Sequence, residues 1–316
     1  MNSPTGRPGP SLDSVRAARE RIAGRVRRTP TLVLGQEDTG LPGRVVLKLE
    51  LLQHTGSFKA RGALNSVLSL PQDAAGVCAA SGGNHGAAVA WAAGQTGLKA
   101  DVFVPETSTP AKLQRIEEYG AALHPVNGDV GVALDACLEF ADAHDLPLIH
   151  PYDTVETVSG AGTLGLEVES QVPDVDVVVL GCGGGGLYAG VATALEGTAL
   201  VQPVETEGCD HLAAALAAGT RVPRPSEGVA ADALGPPRIG ELAFATATRL
   251  GSSSVLVDDA SVLAARRFLW DRVRVLAEPA ACVALAAVLT GRVEPQPGST
   301  TVVVVSGGNN ATLPPR

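Results

Sequence analysis

Short valine-rich runs alternate with stretches whose apolar residues recur at helical spacing, and this alternation organises nearly the whole chain. Residues 45–50, 77–80, 101–105, 175–180, 200–205, 254–257 and 301–305 read as strands. Helices are expected near 11–27, 58–69, 85–97, 110–119, 130–144, 159–171, 186–196, 238–250, 260–274 and 279–290. In the first of these, Leu12, Val15, Ile22 and Val26 form one apolar face, and Arg28-Thr29-Pro30 ends it. Strands that alternate with helices predict an α/β protein of mostly parallel sheets flanked by helices. No fixed-period repeat is visible, and the Pro-rich pieces around 221–237 and 293–299 read as loops. Two glycine-rich strand-to-helix turns, at 81–86 and 181–186, are expected to belong to different sheets. That arrangement gives two lobes with a cleft between them, and open α/β sheets bind ligands at the carboxyl ends of their strands.

Composition narrows the function classes. The 316 residues are 45% hydrophobic but only 3% aromatic, so the core is built from small aliphatic side chains. A net charge of −9 leaves no general attraction to nucleic acid or to an anionic membrane. The basic cluster Arg16, Arg19, Arg21, Arg25, Arg27 and Arg28 is interrupted by acidic residues and reads as a solvated helix face. Cys78, Cys137, Cys182, Cys209 and Cys282 are odd in number and never spaced C-x-x-C, which indicates neither a disulfide framework nor a zinc site. Residues 1–11 lack the apolar run of a signal peptide, and no stretch is apolar enough to span a bilayer. A cytoplasmic location is the expectation.

The chemistry concentrates in a few places. Gly181-Cys182-Gly183-Gly184-Gly185-Gly186 follows a valine-rich strand and opens a helix, where bare backbone N–H groups and the helix dipole suit a phosphate. The same turn fits G-x-G-x-x-G with Glu205 some twenty residues on, so a dinucleotide site remains open, as does simple close packing of helix on sheet. Leu49 to Ala63 runs from a strand end through small polar residues to Lys59 at the start of a helix. Only four lysines stand against twenty arginines, and a lysine at a helix N-terminus is held towards the neutral amine that imine chemistry needs.

Thr55-Gly56-Ser57-Phe58-Lys59-Ala60-Arg61-Gly62-Ala63 resembles the cofactor-lysine motif of the fold type II pyridoxal-phosphate enzymes, in the branch of the serine/threonine dehydratases and serine racemases. Ser81-Gly82-Gly83-Asn84-His85-Gly86 resembles that family's substrate loop, Gly183 to Leu187 its phosphate loop, and Ser306-Gly307-Gly308-Asn309 its terminal motif. Gly162 to Glu167 and Glu278-Pro279 agree more weakly. The blocks follow family order across about nine tenths of the chain.

The resemblance implies a two-lobed, tryptophan synthase beta-like α/β fold. Residues 1–68 and 150–316 would form a large cofactor-binding domain and 69–149 a small substrate-loop domain. It implies pyridoxal 5'-phosphate as cofactor, held as a Schiff base on Lys59, which then serves as the base at the substrate Cα. Phe58 would pack near the pyridine ring, Asn84 would bond the 3' oxygen, and Gly183, Gly184, Gly185, Gly186 and Leu187 would offer N–H groups to the phosphate. Ser306 would face the ring nitrogen, where a neutral hydroxyl makes a milder electron sink than a carboxylate. Ser81, Gly82, Gly83, Asn84 and His85 would grip the substrate carboxylate. His54, His124, His144 and His150 fit no constellation and are expected to be structural or superficial.

Several positions depart from the family pattern. Racemases of this family carry a serine as far-face acid where this chain has Gly82, which favours a one-sided lyase. The acid for the leaving hydroxyl would then be the cofactor phosphate. Glu205 matches a cation ligand of some members, but His211 stands where a second acid is expected, so no metal is assigned. Residues 124–136 contain no arginine for a second substrate carboxylate. The sequence ends six residues after Asn310, so an appended regulatory domain is not expected. The reading is α,β-elimination of L-threonine or L-serine to 2-oxobutanoate or pyruvate plus ammonia, by a homodimer or larger assembly. Its rivals are a racemase, a β-replacement enzyme of the cysteine synthase type, a dehydratase of another β-hydroxy amino acid, a nicotinamide dehydrogenase and a catalytically idle binding relative.

Overall fold

The computed structural model describes residues 9–309 and 312. The proline- and glycine-rich start at 1–8 and the end of the chain at 310–311 and 313–316 lie outside the described residues. Among the described residues, nine strands form two sheets. They are β1 (Thr31–Leu34), β2 (Arg44–Lys48), β3 (Gly76–Ala80), β4 (Lys99–Pro105), β5 (Ala122–Val126), β6 (Val177–Gly181), β7 (Leu200–Thr206), β8 (Val255–Val257) and β9 (Thr300–Val304). The larger sheet has the order β1-β2-β9-β6-β7-β8 and is parallel except for β1, which runs antiparallel to β2. The smaller, β3-β4-β5, is wholly parallel. The expected mixed architecture of mostly parallel sheets flanked by helices is therefore present, and the two glycine-rich turns follow β3 and β6, one in each sheet.

Why the valine runs become interior strands is visible in β9. Val303 and Val305 pack into the core under helices Asp259–Val273 and Pro279–Leu289, whereas Val302 and Val304 face the core under helices Val155–Gln171, Gly186–Ala194 and Glu241–Leu250. Successive side chains point to opposite faces, so a strand covered on both sides must be apolar at every position. Around the smaller sheet, helices Lys59–Leu68 and Asn84–Gly94 pack on one face and helix Val130–His144 on the other.

Two strands escaped the sequence pattern. β1 is a four-residue edge strand with Val33 half exposed, and β5 carries Pro125, a residue tolerated only where ladder bonds are few. Helix His211–Ala218 was also not anticipated, and helix Val155–Gln171 begins four residues earlier than expected because the Thr154 side chain caps it by accepting the Thr157 N–H. This long helix meets helix Gly186–Ala194 through a pair of glycines. A Cβ on Gly162 would stand 2.6 Å from the Gly190 carbonyl oxygen, so only glycine permits the approach that seats the second glycine turn.

Candidate active site

Both glycine turns, the start of helix Lys59–Leu68 and the turn after β4 open onto one cleft of about 400 Å³. Lys59, Phe58, Ser81, Gly82, Gly83, Asn84, His85, Gly183, Gly184, Gly185, Gly186, Leu187 and Ser306 all line it. The lysine, the two glycine-rich loops and the terminal serine thus come to one place although they lie far apart in the chain, whereas Arg61 and Glu205 do not line it.

The turn before Lys59 is held in an unusual conformation. Thr55 has φ 60°, a left-handed value that a β-branched residue rarely adopts, and Gly56 follows at φ 75°. Asn309 fixes it by donating from Nδ2 to the Thr55 carbonyl at 2.8 Å. The Gly308 N–H bonds the Gly56 carbonyl at 2.9 Å, and the Phe58 N–H bonds the Ser306 carbonyl at 3.0 Å. The terminal S-G-G-N segment is thereby laced to the lysine turn, which places Ser306 and Lys59 in the same wall.

Lys59 Nζ donates to the Pro151 carbonyl at 2.7 Å and lies 5.2 Å from the centre of the Phe58 ring. It has no carboxylate partner among the described residues, and burial pushes its ammonium down to about 8. Behind it the helix is anchored by a buried ion network. Arg61 bonds Glu50 through two nitrogens, each at 2.8 Å, and Glu167 at 2.7 Å; Lys48 bonds Glu167 and Gln171, both at 2.7 Å. Arg61, Glu50 and Lys48 are fully buried, so the arginine of the lysine motif holds the helix and does not face the cleft.

On the other wall, the four-glycine turn is enclosed from behind. A Cβ on Gly184 would run into the Tyr152 ring, one on Gly186 would stand 2.7 Å from the Tyr152 carbonyl oxygen, and one on Gly183 would stand 2.8 Å from Leu234 Cα. Gly185 has φ 83° and precedes helix Gly186–Ala194. The N–H groups of Gly183, Gly184 and Gly185 have no partner among the described residues, and the first turn of the helix leaves further N–H groups unbonded. Free donors at a helix N-terminus, in a pocket too tight for any side chain, form a phosphate cradle.

The substrate-loop region is more committed than the sequence suggested. The Ser81 N–H bonds the Phe103 carbonyl at 2.9 Å and the Gly83 N–H bonds Ser81 Oγ at 3.2 Å, leaving Gly82 and the first helical N–H groups free among the described residues. Asn84 donates from Nδ2 to Glu278 Oε1 at 2.7 Å and accepts at Oδ1 from Asn309 Nδ2 at 2.6 Å. One N–H of its amide remains for a ligand. Burial pushes the Glu278 carboxyl up to about 7. His85 donates from Nε2 to the Ile149 carbonyl at 2.8 Å, and burial drives it down to about 3, so the ring is neutral and Nδ1 is an acceptor without a partner among the described residues.

The cleft also contains residues the sequence did not single out as a site. His150, expected to be structural or superficial, lines it together with Pro151 and Tyr152. Its Nδ1 accepts the Asp153 N–H at 2.9 Å, and burial lowers its affinity for a proton. Ser108 and Glu278 join it there. Of these, only Glu278 carried a sequence signal, the Glu278-Pro279 pair that agrees weakly with the family pattern; the others carry no motif. The remaining histidines are placed as expected, with His54 stacked on Trp91 and His124 paired to Asp101 at 2.7 Å. Glu205 accepts the Leu212 and Ala213 N–H groups at 2.7 and 2.9 Å and so caps helix His211–Ala218. No cluster of three metal-ligating side chains occurs among the described residues.

A lone lysine of lowered pKa beside an aromatic ring, facing a side-chain-free phosphate cradle across a cleft, fits an aldehyde cofactor that bears a phosphate. Residues 22–307 match the family described as pyridoxal-phosphate dependent enzymes. The chain belongs to that family. It is an enzyme whose cofactor is pyridoxal 5'-phosphate. Its relatives include the L-threonine ammonia-lyase of Geobacter sulfurreducens, 36% identical over 93% of this chain and 74% of that one. The serine racemase of Oryza sativa subsp. indica is 32% identical over 94% and 90% of the two chains. Among solved structures, a threonine deaminase from T.th. superposes with a TM-score of 0.89 at 37% identity, covering 96% of this chain and 99% of that one. No helix among the described residues is long and apolar enough to cross a membrane.

Proposed function

We propose that this enzyme eliminates water from a small β-hydroxy amino acid, L-threonine or L-serine, to give 2-oxobutanoate or pyruvate and ammonia. The observation that carries the reading is Lys59: a lysine without a counter-ion among the described residues, lowered to about 8, in a cleft that also holds the phosphate cradle and the substrate loop. Bound at this site, the cofactor supplies an electron sink for the charge left when the Cα proton departs. Lys59 would hold it through Nζ and, as the free amine, would take that proton from the substrate Cα. Gly183, Gly184, Gly185, Gly186 and Leu187 would hold the phosphate, Phe58 would pack beside the ring, Ser306 would meet its nitrogen, and the free N–H of Asn84 would meet its hydroxyl oxygen. Ser81, Gly82, Gly83, Asn84 and His85 would surround the substrate carboxylate, with the N–H groups of Gly82, Asn84 and His85, free among the described residues, to donate to it. Loss of the β-hydroxyl as water leaves an enamine, which takes up water to release ammonia and the 2-oxo acid.

Racemisation is the second reading, supported by the rice relative, whose name is serine racemase. Gly82 itself carries no hydroxyl to return a proton from the second face, so a racemase would have to take that proton from another group. Incubation with L-serine separates the two: 2-oxo acid release is expected in excess of D-serine, and D-serine as the main product would overturn the elimination reading. We assign residues 1–68 and 150–316 to a cofactor-binding domain and 69–149 to a substrate-loop domain. We expect a homodimer or larger in the cytoplasm. The five free, buried cysteines support a reducing compartment, and light scattering on the eluted protein tests the assembly.

A further inference from the structure

A substrate carboxylate entering this cleft finds few cations. No arginine among the described residues lines it, Lys59 is reserved for the cofactor in the reading above, and Lys112 is paired with Asp232 at 2.5 Å. Neutral donors must therefore hold the carboxylate, and two of the loop N–H groups, those of Ser81 and Gly83, are already bonded within the protein. Gly82 stands in the middle of this loop with no side chain of its own. The space a side chain would take there is nevertheless filled: a Cβ built on Gly82 runs into Ser108 Oγ, stands 2.9 Å from Ser108 Cβ and 3.6 Å from Pro105 Cδ. Ser108 comes from the turn after β4, which its own N–H closes on the Pro105 carbonyl at 2.9 Å. It lines the cleft, is half-buried, and its hydroxyl has no hydrogen-bond partner among the described residues.

We propose that Ser108 is a substrate-contacting residue whose hydroxyl donates to the amino-acid carboxylate beside residues 81–85, in the place a side chain at position 82 would otherwise occupy. The inference rests on the reading of this cleft as an amino-acid site and extends it. Gly82 and Ser108 are then one unit: the loop is bare because a neighbouring strand end supplies its hydroxyl. A hydroxyl bonded to a charged group contributes about 1.5–3 kcal/mol, which is roughly 10- to 100-fold in affinity.

The test measures binding to the holoenzyme through the change in cofactor absorbance, with L-serine and with 2-aminoethanol, which keeps the amine and hydroxyl but lacks the carboxylate. Ser108→Ala is expected to weaken L-serine roughly 10- to 100-fold and to leave both 2-aminoethanol binding and the ligand-free absorbance unchanged. Gly82→Ser alone should lose L-serine binding through collision with Ser108, and Gly82→Ser combined with Ser108→Gly, which also removes the Cβ 2.9 Å away, should regain it. Unchanged L-serine affinity in Ser108→Ala, or an equal loss for both ligands, overturns the proposal. A wild type that binds L-serine but releases no 2-oxo acid removes the lyase reading while the carboxylate comparison still decides the role of Ser108. A wild type that does not bind L-serine at all overturns both.

Discussion

Lys48 and Lys59 flank the same turn, and both are taken out of water, yet their surroundings divide them. Lys48 points behind the turn into a closed network, where Glu167, Gln171 and the Thr29 carbonyl take its three protons. Burial lowers its pKa, and Glu167 opposes that shift. Lys59 points forward, with one carbonyl for a partner and no carboxylate among the described residues, and burial acts on it unopposed. A buried lysine becomes a nucleophile when its counter-ion is withheld, and a strut when one is supplied. The rear network is a device for stability and the front cleft a device for chemistry, so variants in the two should fail in different ways.

The largest effect is expected at Arg61. Arg61→Ala leaves the fully buried Glu50 uncompensated and should cost about 3–5 kcal/mol in urea unfolding, while any folded fraction still binds cofactor. Retained stability in that variant would break the distinction between rear and front. Lys48→Met should cost less, about 1.5–3 kcal/mol, because Glu167 keeps Arg61 at 2.7 Å, and the visible absorbance should be unaffected. Gly184→Ala should act the opposite way. Its methyl group meets the Tyr152 ring, and the overpacking of about 1–3 kcal/mol should appear in cofactor affinity by titration of the apo-protein.

A smaller effect sharpens the contrast between the lysines. The amine of Lys59 reacts only when neutral, and its value of about 8 lies below the ordinary 10.5. The rate at which the apo-protein takes up pyridoxal 5'-phosphate should therefore rise about tenfold per pH unit up to about pH 8 and then level. A rate that keeps climbing towards pH 10 would show Lys59 to be an ordinary solvated lysine.

The front and rear were not equally legible in the sequence. Strands buried on both faces, such as β6 and β9, declare themselves as valine runs because every position must be apolar. β1 and β5 do not, since an edge strand can expose Val33 or accept Pro125. In the cleft, Lys59 and the four glycines were visible because each needs a particular residue type at fixed local spacing. Arg61 was visible only as part of a motif; its burial against Glu50 and Glu167 depends on residues from distant elements. His150, Tyr152 and Ser108 were invisible for the same reason, as loops bring them to the cleft and no local pattern marks them. The occupied N–H of Ser81 in the substrate loop could not be read either, because its partner Phe103 belongs to the neighbouring strand.

The central claim is that Lys59 carries the cofactor and starts the chemistry. Its most direct test is an absorbance scan of wild type beside Lys59→Ala, before and after L-threonine and L-serine are added, with 2-oxo acid release followed in the same cuvette. A visible band in the wild type that is lost in the variant, together with 2-oxobutanoate or pyruvate from the wild type alone, is the predicted result. A variant that keeps the band and the product, or a wild type that shows neither, would contradict the claim.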